Sequence, residues 1–274
     1  MASATIVLIT GKSTPIASQS HRPVNRPAFA DDAVGANSGI GFATAGVIAS
    51  ASSIYHVLVG SRNPANGKKA VEDLMATGNI KGTLTDVQID VSDQSSVDAL
   101  AKSIDEKFGR LDVLINNAGI APTDGSLRSI MDRTFQTNVT GPLVLTEALK
   151  PLLLKSKNPY SIYVSSGLGS LSLADSEKTL AFDYPAYSAS KSALNQMMIY
   201  ESKINAKKGL NVKSFAVCPG FVRSHLRGRT EEQISGWGGA GDPKVSGQTI
   251  LSIVEGKRDA DVGKFVHKDG VYPW

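Results

Sequence analysis

Tyr187 and Lys191 stand four residues apart in a stretch of helical character, a spacing that puts two side chains on one helix face. An isolated phenol ionises near ~10, too high for easy proton exchange at neutral pH. A neighbouring ammonium favours the phenolate and is expected to lower that value. The pair can therefore act as general acid for carbonyl reduction or general base for alcohol oxidation. Tyr184 competes for the role, but the residue four beyond it is Ser188, so it has no cationic partner. Further polar residues follow apolar runs: Asn116-Asn117-Ala118-Gly119, then Ser165-Ser166-Gly-Leu-Gly169, then Pro219-Gly220-Phe-Val222-Arg-Ser224. Asn138 lies inside a long helical stretch. Its Asn138-Val-Thr140 triplet is formally a glycosylation sequon, but a helix in a chain without a recognisable secretory signal is a poor acceptor.

These residues need a scaffold, and the pattern supplies one. Short apolar, β-branched runs alternate with longer amphipathic stretches, the signature of βαβ units in a parallel sheet. Strands are expected at 5–10, 55–60, 83–90, 111–115, 160–164, 212–217 and 261–267. Helices are expected at 39–52, 64–76, 93–108 with Ser92 as N-cap, 127–155 with a bend near Gly141-Pro142, and 186–207 ended by Gly209. The fold class is α/β: a doubly wound, mainly parallel seven-stranded sheet with helices on both faces. In such sheets ligands bind beyond the carboxyl ends of the strands, where the polar motifs fall.

One segment breaks the pattern. Residues 12–34 carry Pro15, Pro23 and Pro27, with no helical or strand period, and such a long loop is unusual inside a compact domain. With the segment removed, the first strand runs into Thr-Gly-Ala-Asn-Ser-Gly-Ile-Gly, a turn that cradles a pyrophosphate at a helix N-terminus. Ala36, Asn37, Ser38, Gly39, Ile40 and Gly41 supply most of it, and either Gly11 or Gly35 supplies the first glycine. The chain reads as one dinucleotide-binding and catalytic domain over 1–274, with 12–34 a disordered or extruded insertion. Whether the segment is a retained intron, bordered by Gly11-Lys12 and Val34-Gly35, or a true surface insertion stays open. Loop closure entropy grows slowly with length, so the fold can survive either way.

All of these motifs in this order resemble the short-chain dehydrogenase/reductase family, as a carbonyl-reductase-like member, over nearly the whole chain except 12–34. The resemblance implies a catalytic set of Asn138, Ser166, Tyr187 and Lys191. Ser166 is preferred to Ser165 because Gly169 then falls three residues on, as in the family. Ser166 would bond the substrate oxygen where charge develops, Lys191 would also hold the nicotinamide ribose, and Asn138 would position a water linking Lys191 to solvent. Asn117, Ala118 and Gly119 would shape the backbone around the cofactor. Pro219, Gly220, Val222 and Ser224 would wall the nicotinamide end, with Ser224 standing where the family more often has Thr. Asp90 matches a position near the adenine ring.

Strand two ends Gly60-Ser61-Arg62-Asn63. An acidic residue here would bind a ribose 2′-hydroxyl, whereas an arginine accommodates a 2′-phosphate. Arg62 therefore points to NADP(H) over NAD(H). The expected partner is a small-molecule carbonyl or alcohol, and the segments 168–185 and 221–242 are expected to line a mostly apolar substrate pocket. The net charge is +4, and Lys and Arg are interleaved with Asp and Glu, so no basic stripe points to nucleic acid. No apolar run is long enough to span a bilayer. The one cysteine, Cys218, cannot form an internal disulfide. It reads as a small buried hydrophobe and suits a reducing, cytoplasmic setting. No metal-ligand spacing is present. Monomer, dimer and tetramer remain open.

Overall fold

A computed structural model describes residues 4–11, 39–174 and 183–274. The segment 12–34, together with the expected turn residues Gly35, Asn37 and Ser38, lies outside the described residues. The elements in chain order are β1 (Thr5–Ile9), α1 (Gly39–Ala51), β2 (Tyr55–Ser61), α2 (Pro64–Met75), β3 (Thr83–Gln88), α3 (Gln94–Phe108) and β4 (Val113–Asn116). Next come α4 (Leu127–Phe135), a π-helical turn (Gln136–Thr140), α5 (Gly141–Leu153), β5 (Tyr160–Val164), a 3-10 turn (Gly167–Gly169) and α6 (Leu171–Ala174). The remainder is α7 (Pro185–Lys207), β6 (Lys213–Val217), a 3-10 turn (His225–Arg227), α8 (Glu231–Ile234), α9 (Lys244–Val254), a 3-10 turn (Asp259–Asp261), β7 (Phe265–His267) and β8 (Gly270–Tyr272).

The strands form one sheet in the order β3-β2-β1-β4-β5-β6-β7-β8. All neighbours run parallel except β7 and β8, which are antiparallel. The expected seven-stranded sheet thus gains an eighth strand. Its three residues are too short to show a period in sequence, and the pairing Phe265 with Tyr272 fixes it to the edge. Alternation along each strand sends side chains to opposite faces. Val7, Ile9, Val57, Val59, Val113 and Ile115 pack on one face with Ile48 of α1 and Ile250 of α9. Ile6, Leu8, Leu58 and Leu114 pack on the other with Leu100 of α3 and Leu149 of α5. Each fully buried aliphatic side chain contributes roughly 1.5–3 kcal/mol, so both faces must be covered, and the sheet is doubly wound as expected.

Helix ends differ from expectation where capping chemistry decides. Asp93, not Ser92, is the N-cap of α3, its carboxylate accepting from the Ser95 amide. The Ser92 hydroxyl and amide are instead taken by Asp90. The expected long helix over 127–155 is interrupted by the π turn at 136–140, just before Gly141-Pro142. Proline lacks an amide hydrogen, and a widened turn relieves the missing bond. π turns concentrate at functional sites, and Asn138 sits inside this one. α9 is an addition to the expected helices.

Candidate active site

The carboxyl ends of β1, β4, β5 and β6 converge, and each delivers part of the site. At the end of β1, the Thr10 hydroxyl accepts from the backbone amides of Asn117 at 3.1 Å and Ala118 at 3.3 Å. The Asn117 side-chain amide returns a bond to the Thr10 carbonyl at 3.0 Å. This clamp locks β1 to the loop after β4 through Asn117. The signal for Thr10 in the sequence was its place between β1 and Gly11.

Asn138 is fully buried and spends its whole amide on this framework. Its Oδ1 accepts from the Ile120 amide at 2.8 Å, and its Nδ2 donates to the Ile120 carbonyl at 2.9 Å and to Ser190 Oγ at 3.0 Å. Ser190 precedes Lys191, so Asn138 ties the loop after β4 to α7. Ser190 itself was not singled out by sequence reasoning, although it lies within the Tyr187–Lys191 stretch.

After β5, Ser166 caps the 3-10 turn by accepting from the Leu168 amide at 3.2 Å. Its side chain also lies close enough to the Tyr187 phenol to favour the phenolate. Ser165 is buried, with its hydroxyl directed at the Lys191 carbonyl. The two serines differ in setting: Ser165 lines the cavity of Tyr187 and Lys191, whereas Ser166 caps the turn and acts on the phenol. Gly169 allows α7 to press against this turn. A Cβ there would lie 2.7 Å from the Lys191 carbonyl carbon and 2.8 Å from Lys191 Cβ. Asn195 one turn along α7 donates to the Gly169 carbonyl at 3.1 Å.

Lys191 Nζ donates to the Val164 carbonyl at 2.8 Å and lies 5.5 Å from the centre of the Tyr187 ring. It has no carboxylate partner among the described residues. Burial disfavours its charged form and brings its pKa down to about 8. Tyr187 departs from expectation. Burial, its largest influence, holds the phenol above its ordinary pKa, and the Ser166 side chain and the Arg227 charge offset this only in part. The expected lowering by Lys191 does not emerge, because desolvation outweighs the nearby cation and the ammonium is committed to the Val164 carbonyl.

Ile40, Asn117, Gly119, Tyr187, Lys191, Pro219 and Ser224 line one small cavity of about 30 Å³, with Leu226 as a further wall. A Cβ at Gly119 would come only within 3.6 Å of Asn138 Oδ1 and Lys191 Nζ. Ser224 also lines a larger, mostly apolar cavity of about 560 Å³ that runs along α1 to Pro243 and Lys244. The smaller cavity is the one that brings Tyr187 and Lys191 together. Val222 is buried away from both and forms a bridge with Gly241. Ala118 is buried beneath the Thr10 clamp. Gly220 takes a positive φ of 81°, which re-aims the chain after Pro219. Gly11 is buried at the exit of β1, and Gly39 and Gly41 open α1.

Arg62 lies at the end of β2, 3.9 Å from Asp90, so those two expected cofactor residues are neighbours. Burial pushes the Cys218 thiol up, which suits an inert packing role. Among the described residues no group of His, Cys, Asp and Glu could hold a metal ion, and no helix is long and apolar enough to cross a membrane.

The residues fit a nicotinamide ribose by chemistry: a buried, carboxylate-free ammonium, a phenol and an amide-lined edge that glycine keeps open. A space of about 30 Å³ admits about one water, less than a nicotinamide ring fills.

The model of the short chain dehydrogenase family matches residues 33–235. The chain belongs to this family, and it is an oxidoreductase of the CH–OH/C=O pair. It is 35% identical over 252 residues to short-chain dehydrogenase/reductase tropE of Talaromyces stipitatus, covering 86% of this chain and 94% of the relative. It is 31% identical over 253 residues to (+)-neomenthol dehydrogenase of Arabidopsis thaliana, covering 72% and 83%. The NADPH-bound carbonyl reductase from chicken fatty liver shares the fold with a TM-score of 0.74 at 24% identity, over 100% of both chains. The family match begins at residue 33, next to the point where the glycine turn resumes.

Proposed function

We propose that this protein is an NADPH-dependent reductase of small ketones or aldehydes, with Tyr187 as the proton donor. The observation that carries the reading is the placement of the buried Lys191, its Nζ 5.5 Å from the Tyr187 ring centre and held by the Val164 carbonyl. Reduced nicotinamide, when bound, supplies the hydride; the chain supplies orientation and proton chemistry. Ser166 donates to the substrate oxygen as negative charge develops. Tyr187 then gives its proton to that oxygen. A phenol held protonated by burial is the form reduction requires, which favours this direction over oxidation. Lys191 and Tyr187 hold the ribose, and Asn138 fixes the loop and helix that carry them. Asn117, Gly119, Pro219 and Ser224 wall the ring. Arg62 receives the 2′-phosphate in place of Asp90, and Gly39, Ile40 and Gly41 take the pyrophosphate together with Asn37, Ser38 and one of Gly11 or Gly35.

A second reading rests on residues 12–34. The interruption leaves from the pyrophosphate turn, so this chain can be a family member with impaired cofactor binding. The Thr10–Asn117 clamp supports the first reading, because it anchors β1 without any residue beyond Gly11. A cytoplasmic setting suits the single buried thiol. Turnover of a panel of aldehydes and ketones with NADPH tests the proposal. Tyr187→Phe is expected to lower kcat by ~100-fold or more with an unchanged melting temperature; retained turnover refutes the assignment.

A further inference from the structure

The loop after Ser224 holds a cation that the proposed chemistry does not use. Arg227 closes the 3-10 turn after Ser224, directly following Leu226, which lines the cavity of Tyr187 and Lys191. Its guanidinium is held rigidly. Nε donates to the Gln233 carbonyl at 3.0 Å, and Nη2 donates to the Val222 and Ile234 carbonyls, each at 2.9 Å. The group also stacks on Phe221, 4.6 Å from the ring centre. Three of its five N–H donors are thereby spent on backbone. The two on Nη1 have no partner among the described residues, and no carboxylate pairs with this arginine there.

A half-buried guanidinium without a counter-ion is costly, because removing charge from water is repaid only by pairing. Burial accordingly pulls its affinity for the proton down, and the ionisable side chains that act on it electrostatically are Tyr184 and Tyr187. Burial holds the Tyr187 phenol protonated, and among the described residues no carboxylate stands beside the arginine to supply the missing charge. If the role of Arg227 were only to brace the loop, its carbonyl bonds would suffice and the charge would be a net loss. A fixed fork with one open nitrogen, directly after the Leu226 that shares a cavity with the proton donor, is instead suited to receive an anionic oxygen on the substrate.

Building on the reductase reading above, we propose that Arg227 is a specificity residue that selects carbonyl substrates bearing a carboxylate. The arginine takes one carboxylate oxygen on Nη1 while the carbonyl lies at Ser166 and Tyr187. The substrate class is then keto or formyl acids rather than neutral carbonyls.

The test uses the full chain with saturating NADPH and a series of keto and formyl acids of graded spacer length, each paired with its methyl ester. A charge-assisted contact of this type corresponds to ~10-fold to 100-fold in affinity. The wild type is expected to prefer at least one acid over its ester by about that factor in kcat/KM. Arg227→Gln is expected to abolish the preference by raising KM for the acid, with ester turnover within about 3-fold of wild type. Arg227→Lys is expected to restore part of the preference. Calorimetric binding of the preferred acid, with and without Arg227→Gln, gives a readout that does not depend on turnover. Equal use of acids and esters by the wild type overturns the specificity while leaving the reductase reading intact. Equal loss of ester and acid turnover in Arg227→Gln also overturns it and assigns the arginine to loop bracing. Absence of all carbonyl turnover overturns the reductase reading, and acid binding unaffected by Arg227→Gln then overturns the specificity as well.

Discussion

Replacing Gly169 by alanine should damage both stability and chemistry through one contact. The added Cβ would sit 2.7 Å from the Lys191 carbonyl carbon, 2.8 Å from Lys191 Cβ and 3.0 Å from the Lys191 oxygen. Ordinary contact begins at 3.4 Å, so at least 0.7 Å of separation must be created between the turn and α7. These are the main chain and first side-chain carbon of a 23-residue helix, so no flexible side-chain end can swing aside. Overpacking of this kind costs ~1–3 kcal/mol, which for a domain of this size lowers the melting temperature by roughly 2–10 °C. The same shift withdraws Lys191 Nζ from the Val164 carbonyl and Tyr187 from Ser166. A displacement near 1 Å at reacting groups costs about 100-fold in rate. Thermal unfolding and kcat/KM with NADPH and a reducible aldehyde measure the two effects. Gly109→Ala is the control. It also replaces a glycine, at φ 67°, but its Cβ would meet nothing within 4 Å, so it should cost ~1 kcal/mol and no activity. If Gly169→Ala matches wild type in both assays, the account of how α7 is seated is wrong.

Further outcomes follow from the charges and the turn. Lys191 has a folded pKa of about 8 against an ordinary 10.5, so the unfolded chain binds more protons between those values. Its contribution to stability is therefore present above about 10.5 and lost as pH falls through 8. Compared with Lys191→Met, the wild type should gain up to about 3 kcal/mol between pH 7.5 and 10.5 in denaturant titrations; a flat difference sinks the burial argument. Removing residues 12–35 while keeping Gly11 restores the uninterrupted turn, and should tighten NADPH binding measured by fluorescence if the insertion obstructs the site. Equal binding by both forms would show it to be harmlessly looped out. Arg62→Ala should weaken NADPH by ~10-fold or more, the loss of a charge-assisted contact, and NADH little; equal losses would reject the 2′-phosphate role.

Much of the fold was legible because it rests on simple periods. β5 over Tyr160–Val164 matches its expected bounds, since five buried residues flanked by breakers leave little choice. Competition between neighbouring caps hid Asp93, and Gly270–Tyr272 offers too few residues for a period. In the site, spacing pointed to Tyr187 and Lys191 because both lie on one helix. Arg227 was not legible, because its meaning depends on three carbonyls and an aromatic ring brought together by a loop. The raised phenol was missed for a related reason: depth of burial is a tertiary property, whereas the presence of a lysine is a local one.

The π turn at Gln136–Thr140 has one more consequence. A helix advances about 100° per residue, so a single surplus residue rotates everything after it by roughly that angle relative to what precedes it. α4 packs against α7, while α5 packs against α3 and the sheet. One rod thereby serves two unrelated neighbours without a loop between them. Deleting one residue from the turn would restore a uniform helix, and the two halves could no longer both face their partners.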